Sequence, residues 1–196
     1  MDEETLKKVC EEFRKVEGPA SFYDVALEIV DAHPLQASII ILAVWNTGRF
    51  RFIASDTQNL LDLQKAIEES KPLFEKVRGK DFKAVNFDEI GDAIKQIYSI
   101  LSKVKGVEYT GASKVMHLLN KELFVMWDTD IRDEYGYDVT GEDYFRFLKE
   151  MQEKFKGVAW SISDRTFAKA IDEYNQVTIT FPKRRKEKQK RKERRI

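Results

Sequence analysis

The chain has 196 residues, and its 34 Lys and Arg residues balance 34 Asp and Glu residues. This length is sufficient for one domain whose core requires neither disulfides nor a metal ion. Cys10, the single cysteine, excludes an internal disulfide, and no apolar segment is long enough to span a bilayer or to act as a secretion signal.

Helical periodicity runs through nearly the whole chain. Apolar residues recur every three or four positions from Leu6 to Val16, where Gly18-Pro19 ends the first predicted helix. A second helix is expected from Ser21 to Val30 and a third from Leu35 to Asn46. Because residues 39–45 are apolar on all sides, the third helix is predicted to be the central one.

Aromatic and basic residues alternate directly after this third helix. Arg49 and Arg51 are candidates for contacts with nucleic-acid phosphates, and Phe50 or Phe52 for insertion into a base stack. The same alternation is typical of a short extended segment with one buried face. We expect the phenylalanines to be buried and the arginines to be exposed.

The second half of the chain continues the helical pattern. One or two helices are predicted between Asp56 and Lys76, and Asn86 is a good N-cap for a helix that reaches Val104. A turn at 105–111 precedes the next helix, and two later helices begin at Thr140 and near Ser163. The β-branched run 177–181 is typical of a strand, but the sequence offers no partner strand for it.

Two short motifs follow the predicted turn. Gly111-Ala112-Ser113-Lys114 leads into a helix, and Asp128-Thr129-Asp130-Ile131 follows that helix. Over about residues 90–136, this order resembles the core of the helix-hairpin-helix base-excision DNA glycosylases. The family's hairpin is usually written Gly-x-Gly-x-Lys, and Thr110 and Ala112 stand at its glycine positions here.

The resemblance implies a helix-hairpin-helix element near 91–120. It also implies that Lys114 attacks the sugar C1′ as the damaged base is expelled, while Asp128 stabilises the developing positive charge and assists proton transfer. Backbone amides of the turn would bind a DNA phosphate, and the target base would be flipped out of the duplex. The candidate nucleic-acid contacts in and beside this turn are Lys105, Gly106, Gly111 and Ser113.

The residue types allow both a chemical and a structural interpretation of the two principal candidates. A partly desolvated amine near a helix N-terminus would have a lowered pKa and could act as a nucleophile. The alternative is that Lys114 is an ordinary solvated lysine on the first turn of a helix. Asp128 is a good N-cap residue whether or not it is catalytic. His117 and Trp127 are candidates for a substrate pocket, with burial in the core as the alternative for each.

The residue counts also bear on cofactors. Two histidines and one cysteine provide no plausible zinc site and no cysteine quartet for an iron–sulfur cluster. We therefore expect neither a metal nor another cofactor.

The C-terminal segment is strongly basic. Residues 183–195 contain ten Lys and Arg and two Glu, a net charge of +8, so residues 1–182 carry −8. Such a block is predicted to be disordered and to bind phosphates, with Arg184 and Arg185 among the contacts. The alternatives are a solubilising tail or one that folds back on the acidic body.

The sequence thus predicts one all-α domain of about eight helices at 1–182 and a disordered tail at 183–196. The favoured function is a DNA-binding glycosylase or abasic-site lyase. The alternatives are a non-catalytic nucleic-acid-binding module and a protein-interaction domain whose acidic body binds a basic partner. We expect a cytoplasmic protein without membrane partners, and its many Lys and Glu residues are compatible with a thermophilic source.

Overall fold

The computed structural model describes residues 1–17 and 21–193, and these residues form helices joined by short turns. The all-α class is therefore confirmed, since no β-strand occurs among the residues described. The helices are α1 (Glu3–Glu17), α2 (Ser21–Ile29), α3 (Pro34–Trp45), α4 (Thr47–Ala54), α5 (Thr57–Lys76), α6 (Phe87–Ser102), α7 (Glu108–Leu119), α8 (Thr129–Glu134), α9 (Gly141–Phe155), α10 (Phe167–Asn175) and α11 (Phe181–Glu193). None of these helices is long and apolar enough to cross a membrane.

Helix α6 lies at the centre of the domain, where it contacts α5, α7 and α9. Asn86 caps it as the sequence predicted, because its side chain accepts a hydrogen bond from the Asp88 amide at 3.2 Å. Ile94, Ile97 and Leu101 of its apolar stripe are completely buried. The prediction that α3 is the central helix was wrong, since Val44 of α3 is 38% exposed.

The segment 124–127 between α7 and α8 is buried although it has no regular secondary structure. Phe124, Val125, Met126 and Trp127 are all buried, and no neighbouring strand pairs with them in the described chain. Four of their backbone groups bond to side chains instead, which meets the need of buried polar groups for partners. The bonds to these backbone groups come from Ser113 and His117 of α7 and from Tyr144 of α9.

The aromatic and basic segment after α3 is helical rather than extended. Asn46 separates α3 from α4, and its backbone carbonyl accepts hydrogen bonds from the amides of Arg49 and Phe50 at 2.9 and 2.8 Å. The expected exposures are nevertheless found: Arg49 and Arg51 are exposed, and Phe50 and Phe52 are partly buried.

The last elements form one helical rod. A π-helical turn, Gln176–Thr180, joins α10 to α11 where a strand-like run stands in the sequence. Residues 183–193, which were predicted to be disordered, lie in α11, and tertiary contacts hold the first turn of this helix. The Phe181 ring stacks on Phe13 at 5.8 Å between centroids, and Lys183 pairs with Glu134 at 2.9 Å. Residues 194–196 of the predicted tail lie outside the described residues.

Candidate active site

Lys114 and Asp128 line the same surface cleft, which we call the outer cleft and which has a volume of about 340 Å³. The cleft lies between the α3–α4 junction, the first half of α7, the start of α8 and α11. Its walls carry the cations Arg49, Arg51, Lys114 and Arg184 and the carboxylates Glu108, Asp128 and Asp130, together with Trp45, Thr47 and Tyr109.

A smaller cavity of about 160 Å³, the inner pocket, is lined by the same pair. The two cavities adjoin, since Trp45, Thr47, Lys114, Asp128 and Arg184 line both of them. The inner pocket adds three apolar side chains and three polar ones: Phe13, Val44 and Met126, and Lys169, Asp172 and Gln176.

Lys114 lies in the second turn of α7, because the helix begins at Glu108 rather than beside the lysine. This corrects the prediction of a lysine at a helix N-terminus. Burial, not the helix dipole, lowers the pKa of Lys114 to about 8, although attraction to Asp128 and Asp172 opposes the shift. The side chain is 8% exposed, and its amine donates a hydrogen bond to the Trp45 carbonyl.

Asp128 is the N-cap of α8, as its position before Thr129 predicted. Its Oδ1 accepts a hydrogen bond from the Ile131 amide at 2.9 Å. The carboxylate is almost completely buried, and side chains of the helical rod contact its oxygens. Three side chains of the rod approach it: Gln176 Nε2 at 3.3 Å, Thr180 Oγ1 at 3.1 Å and Arg184 Nη2 at 3.5 Å.

The turn between α6 and α7 forms one end of the outer cleft. Gly106 has φ of +96°, and a Cβ there would lie 2.7 Å from Ile53, so only glycine fits. The Asn46 side chain holds the turn by donating to the Gly106 and Val107 carbonyls at 3.0 and 3.1 Å. Lys105 is exposed on this turn, with its amine 5.3 Å from the Phe52 ring centroid.

The predicted arginine contacts occupy different parts of the cleft. Arg51 is exposed on the cleft wall, and Arg49 forms an ion pair with Glu108 at 2.9 Å. Arg184 reaches the cleft from α11, and its side chain is half exposed. Arg185 is also exposed, but it does not line either cavity.

Two residues predicted in the phosphate-binding turn lie inside α7. Gly111 is buried against Leu42 and the Asn46 side chain, which allows α7 to approach α3 closely. Ser113 is completely buried and accepts a hydrogen bond from the Trp127 amide at 3.2 Å. The structure therefore places both residues in helix packing rather than at the surface.

The two substrate-pocket candidates are also in the core. His117 is fully buried, and burial lowers its pKa to about 3, so the ring is neutral. Its Nδ1 donates to the Phe124 carbonyl at 2.6 Å, which leaves Nε2 to accept from the Tyr23 hydroxyl at 2.7 Å. Trp127 packs against Tyr98 and is 1% exposed. Neither residue lines the outer cleft or the inner pocket.

Sequence reasoning missed a cluster of buried charges on α10. Lys169 is 3% exposed and forms ion pairs with Asp172 at 2.6 Å and with Glu173 at 3.5 Å. Burial by itself would lower the pKa of Lys169, but the two carboxylates outweigh it and the pKa is raised. The only available signal was the spacing of opposite charges at i, i+3 and i+4, which is also typical of a solvated helix face.

The surroundings of this cluster are aromatic. The Lys169 amine lies 4.7 Å from the Phe13 ring centroid and 4.8 Å from that of Trp45, within cation–π distance. Burial raises the pKa of Asp172, and its Oδ1 has no hydrogen-bond partner. The inner pocket therefore combines aromatic walls with polar groups.

No group of three or more metal-binding side chains occurs among the residues the structure describes. Comparison with models of known protein families, with curated proteins and with solved structures finds no match to this chain.

Proposed function

We propose that this protein cleaves the N-glycosidic bond of a damaged base in DNA, with Lys114 as the nucleophile and Asp128 as the charge-stabilising partner. The observation that carries the proposal is a buried amine of lowered pKa that shares one cleft with a buried carboxylate. An amine attacks carbon only in its neutral form, and a pKa of about 8 makes that form substantial near neutral pH.

The reaction would proceed as a substitution at the sugar. The bond from C1′ to the base breaks with its electron pair leaving on the base, which takes up a proton, and the Lys114 nitrogen forms a bond to C1′ and loses a proton. Positive charge develops on the sugar in the transition state. The Asp128 carboxylate would stabilise that charge, because opposite charges interact strongly in a desolvated site.

The rim of the cleft supports an anionic substrate. Arg49, Arg51 and Arg184 line the cleft together with Lys114 and Asp128. Arg49 is paired with Glu108 and Arg184 approaches Asp128, so the attraction for phosphates comes mainly from Arg51 and α11. Helix α11 continues from this rim with further exposed basic residues. A nucleic-acid backbone that follows this surface would bring its phosphates to the arginines and a sugar to the amine.

The inner pocket would receive the expelled base. Phe13 and Trp45 line it with apolar ring edges, because their faces are covered by Phe181, Tyr23 and Lys169. Asp172 and Gln176 offer groups that hydrogen-bond to a base edge. An extrahelical base in this pocket would place its glycosidic bond beside Lys114, since the lysine lines both cavities.

Borohydride trapping tests the chemistry. After substitution, the nitrogen lone pair opens the sugar: the C1′–O4′ bond breaks with its electron pair on O4′, which takes up a proton, and a Schiff base forms between the Lys114 nitrogen and C1′. Borohydride would reduce it to a stable protein–DNA adduct on duplexes with oxidised, deaminated or alkylated bases or plain abasic sites. Lys114→Gln should abolish the adduct. Asp128→Asn should lose most of it while the helix cap remains, because Asn is also a good N-cap. Lys156→Gln is the matched control, since Lys156 is exposed and remote from the cleft.

Two results would contradict the proposal. One is the absence of an adduct on every one of these substrates, and the other is undiminished trapping by Lys114→Gln. DNA binding without any adduct would instead identify a non-catalytic nucleic-acid-binding module.

A further inference from the structure

Three side chains of the helical rod meet at one carboxylate. Gln176, Thr180 and Arg184 follow each other at intervals of four residues, and each reaches Asp128. Thr180 Oγ1 lies 3.3 Å from Oδ1 and 3.1 Å from Oδ2, so it is placed between the two oxygens. With the Ile131 amide on Oδ1, the carboxylate has donors around both oxygens.

The π-helical turn explains how one rod supplies all of these donors. Positions four apart on an α-helix rotate by about 40° per step, so a series of three drifts around the helix. A π turn contains an additional residue and counteracts this drift. Its bounds, Gln176–Thr180, coincide with the first two residues that donate to Asp128.

The two threonines of this turn behave differently. Thr178 is exposed, and its hydroxyl donates to the Tyr174 carbonyl four residues earlier at 2.7 Å, an ordinary helical bond. Thr180 is completely buried, and its hydroxyl is directed across to Asp128. The Thr180 hydroxyl therefore donates to the Asp128 carboxylate and not to a backbone carbonyl of its own helix.

We propose that Gln176 and Thr180 are positioning residues that hold the Asp128 carboxylate in one orientation beside Lys114, and that the π-helical turn places them there. The inference rests on the proposed function of the Lys114–Asp128 pair. Orientation matters because a charge-stabilising group acts only when it is held near the developing charge, and small displacements reduce the rate strongly.

The test compares single-turnover rates of adduct formation with affinities for abasic-site DNA. Thr180→Val removes the hydroxyl and keeps the shape, so we expect a rate about 10- to 100-fold lower with an unchanged dissociation constant. Thr180→Ser should recover most of the rate because it restores the hydroxyl. Thr178→Val is the matched control on the same turn and should react at the wild-type rate.

A combined variant separates positioning from a general loss of structure. If Thr180 acts only through Asp128, then Asp128→Asn with Thr180→Val should react at the rate of Asp128→Asn alone. A double variant that is slower than Asp128→Asn would overturn the inference, as would a Thr180→Val rate equal to that of the wild type. A wild-type protein that forms no adduct would overturn the proposed function itself, and with it the role that the three donors serve.

Discussion

The amine of Lys114 donates a hydrogen bond to the carbonyl oxygen of Trp45, the last residue of α3. The carbonyls at a helix C-terminus carry partial negative charge and have no partner within the helix, so they attract a cation. The contact joins α7 to α3 and fixes the lysine at the boundary between the outer cleft and the inner pocket. Its position and its lowered pKa have two consequences that experiments can measure.

The first consequence concerns the pH dependence of adduct formation. Because burial lowers the pKa of Lys114 to about 8, the neutral fraction of the amine increases about tenfold per pH unit below that value. The single-turnover rate should rise accordingly from pH 6 and level off above pH 8. A rate that continues to rise through pH 10 would show that the reacting amine is not a buried one.

The second consequence concerns stability. The pKa of Lys114 lies near 8 in the folded protein and at its ordinary value of 10.5 when unfolded. Between these pH values the unfolded chain binds the proton and the folded protein does not, so stability from this group rises with pH. Lys114→Met removes the buried charge and should raise the free energy of unfolding at pH 7 by about 1–3 kcal/mol.

This gain should decrease towards pH 10, where the folded wild-type protein already holds the neutral amine. Urea unfolding at pH 7 and at pH 10 measures both values. A Lys114→Met protein that is less stable than the wild type at pH 7 would contradict the prediction.

A separate prediction concerns the neighbouring charges on α10. Lys169→Met leaves Asp172 buried without its cation, while Glu173 keeps its ion pair with Arg165, and the substitution should lower the free energy of unfolding by about 3–5 kcal/mol. Lys156→Met removes an exposed ion pair with Glu153, so it should change stability by less than about 0.5 kcal/mol. Equal effects of the two substitutions in urea unfolding would show that the α10 cluster is not buried.

The basic part of α11 should govern the salt dependence of DNA binding. Deletion of residues 186–196 removes cations and leaves Arg184 in the cleft. If several of those cations contact phosphates, a plot of the logarithm of DNA affinity against the logarithm of salt concentration should have a flatter slope after the deletion. The control is the same titration with the full chain, and an unchanged slope would indicate that the segment makes no phosphate contacts.

The sequence by itself was sufficient for the fold class and for several helix starts. The caps at Asn86, Asp128 and Thr140 were predicted because an N-cap depends on neighbours within three residues. The pairing of Lys114 with Asp128 was also predicted, from a resemblance, and the structure places both on one cleft. Their catalytic roles stay predictions.

Only the tertiary structure decided which polar residues are buried. Periodicity identifies an apolar face, but it does not reveal how many neighbouring elements cover the opposite face. The burial of Lys169 and Asp172 therefore could not be predicted from the spacing of their charges. The same limit applies to the segment that contains Gln176 and Thr180. Its β-branched residues favour a strand locally, but the segment is π-helical. In this conformation Gln176 and Thr180 contact Asp128, which lies about fifty positions earlier in the chain.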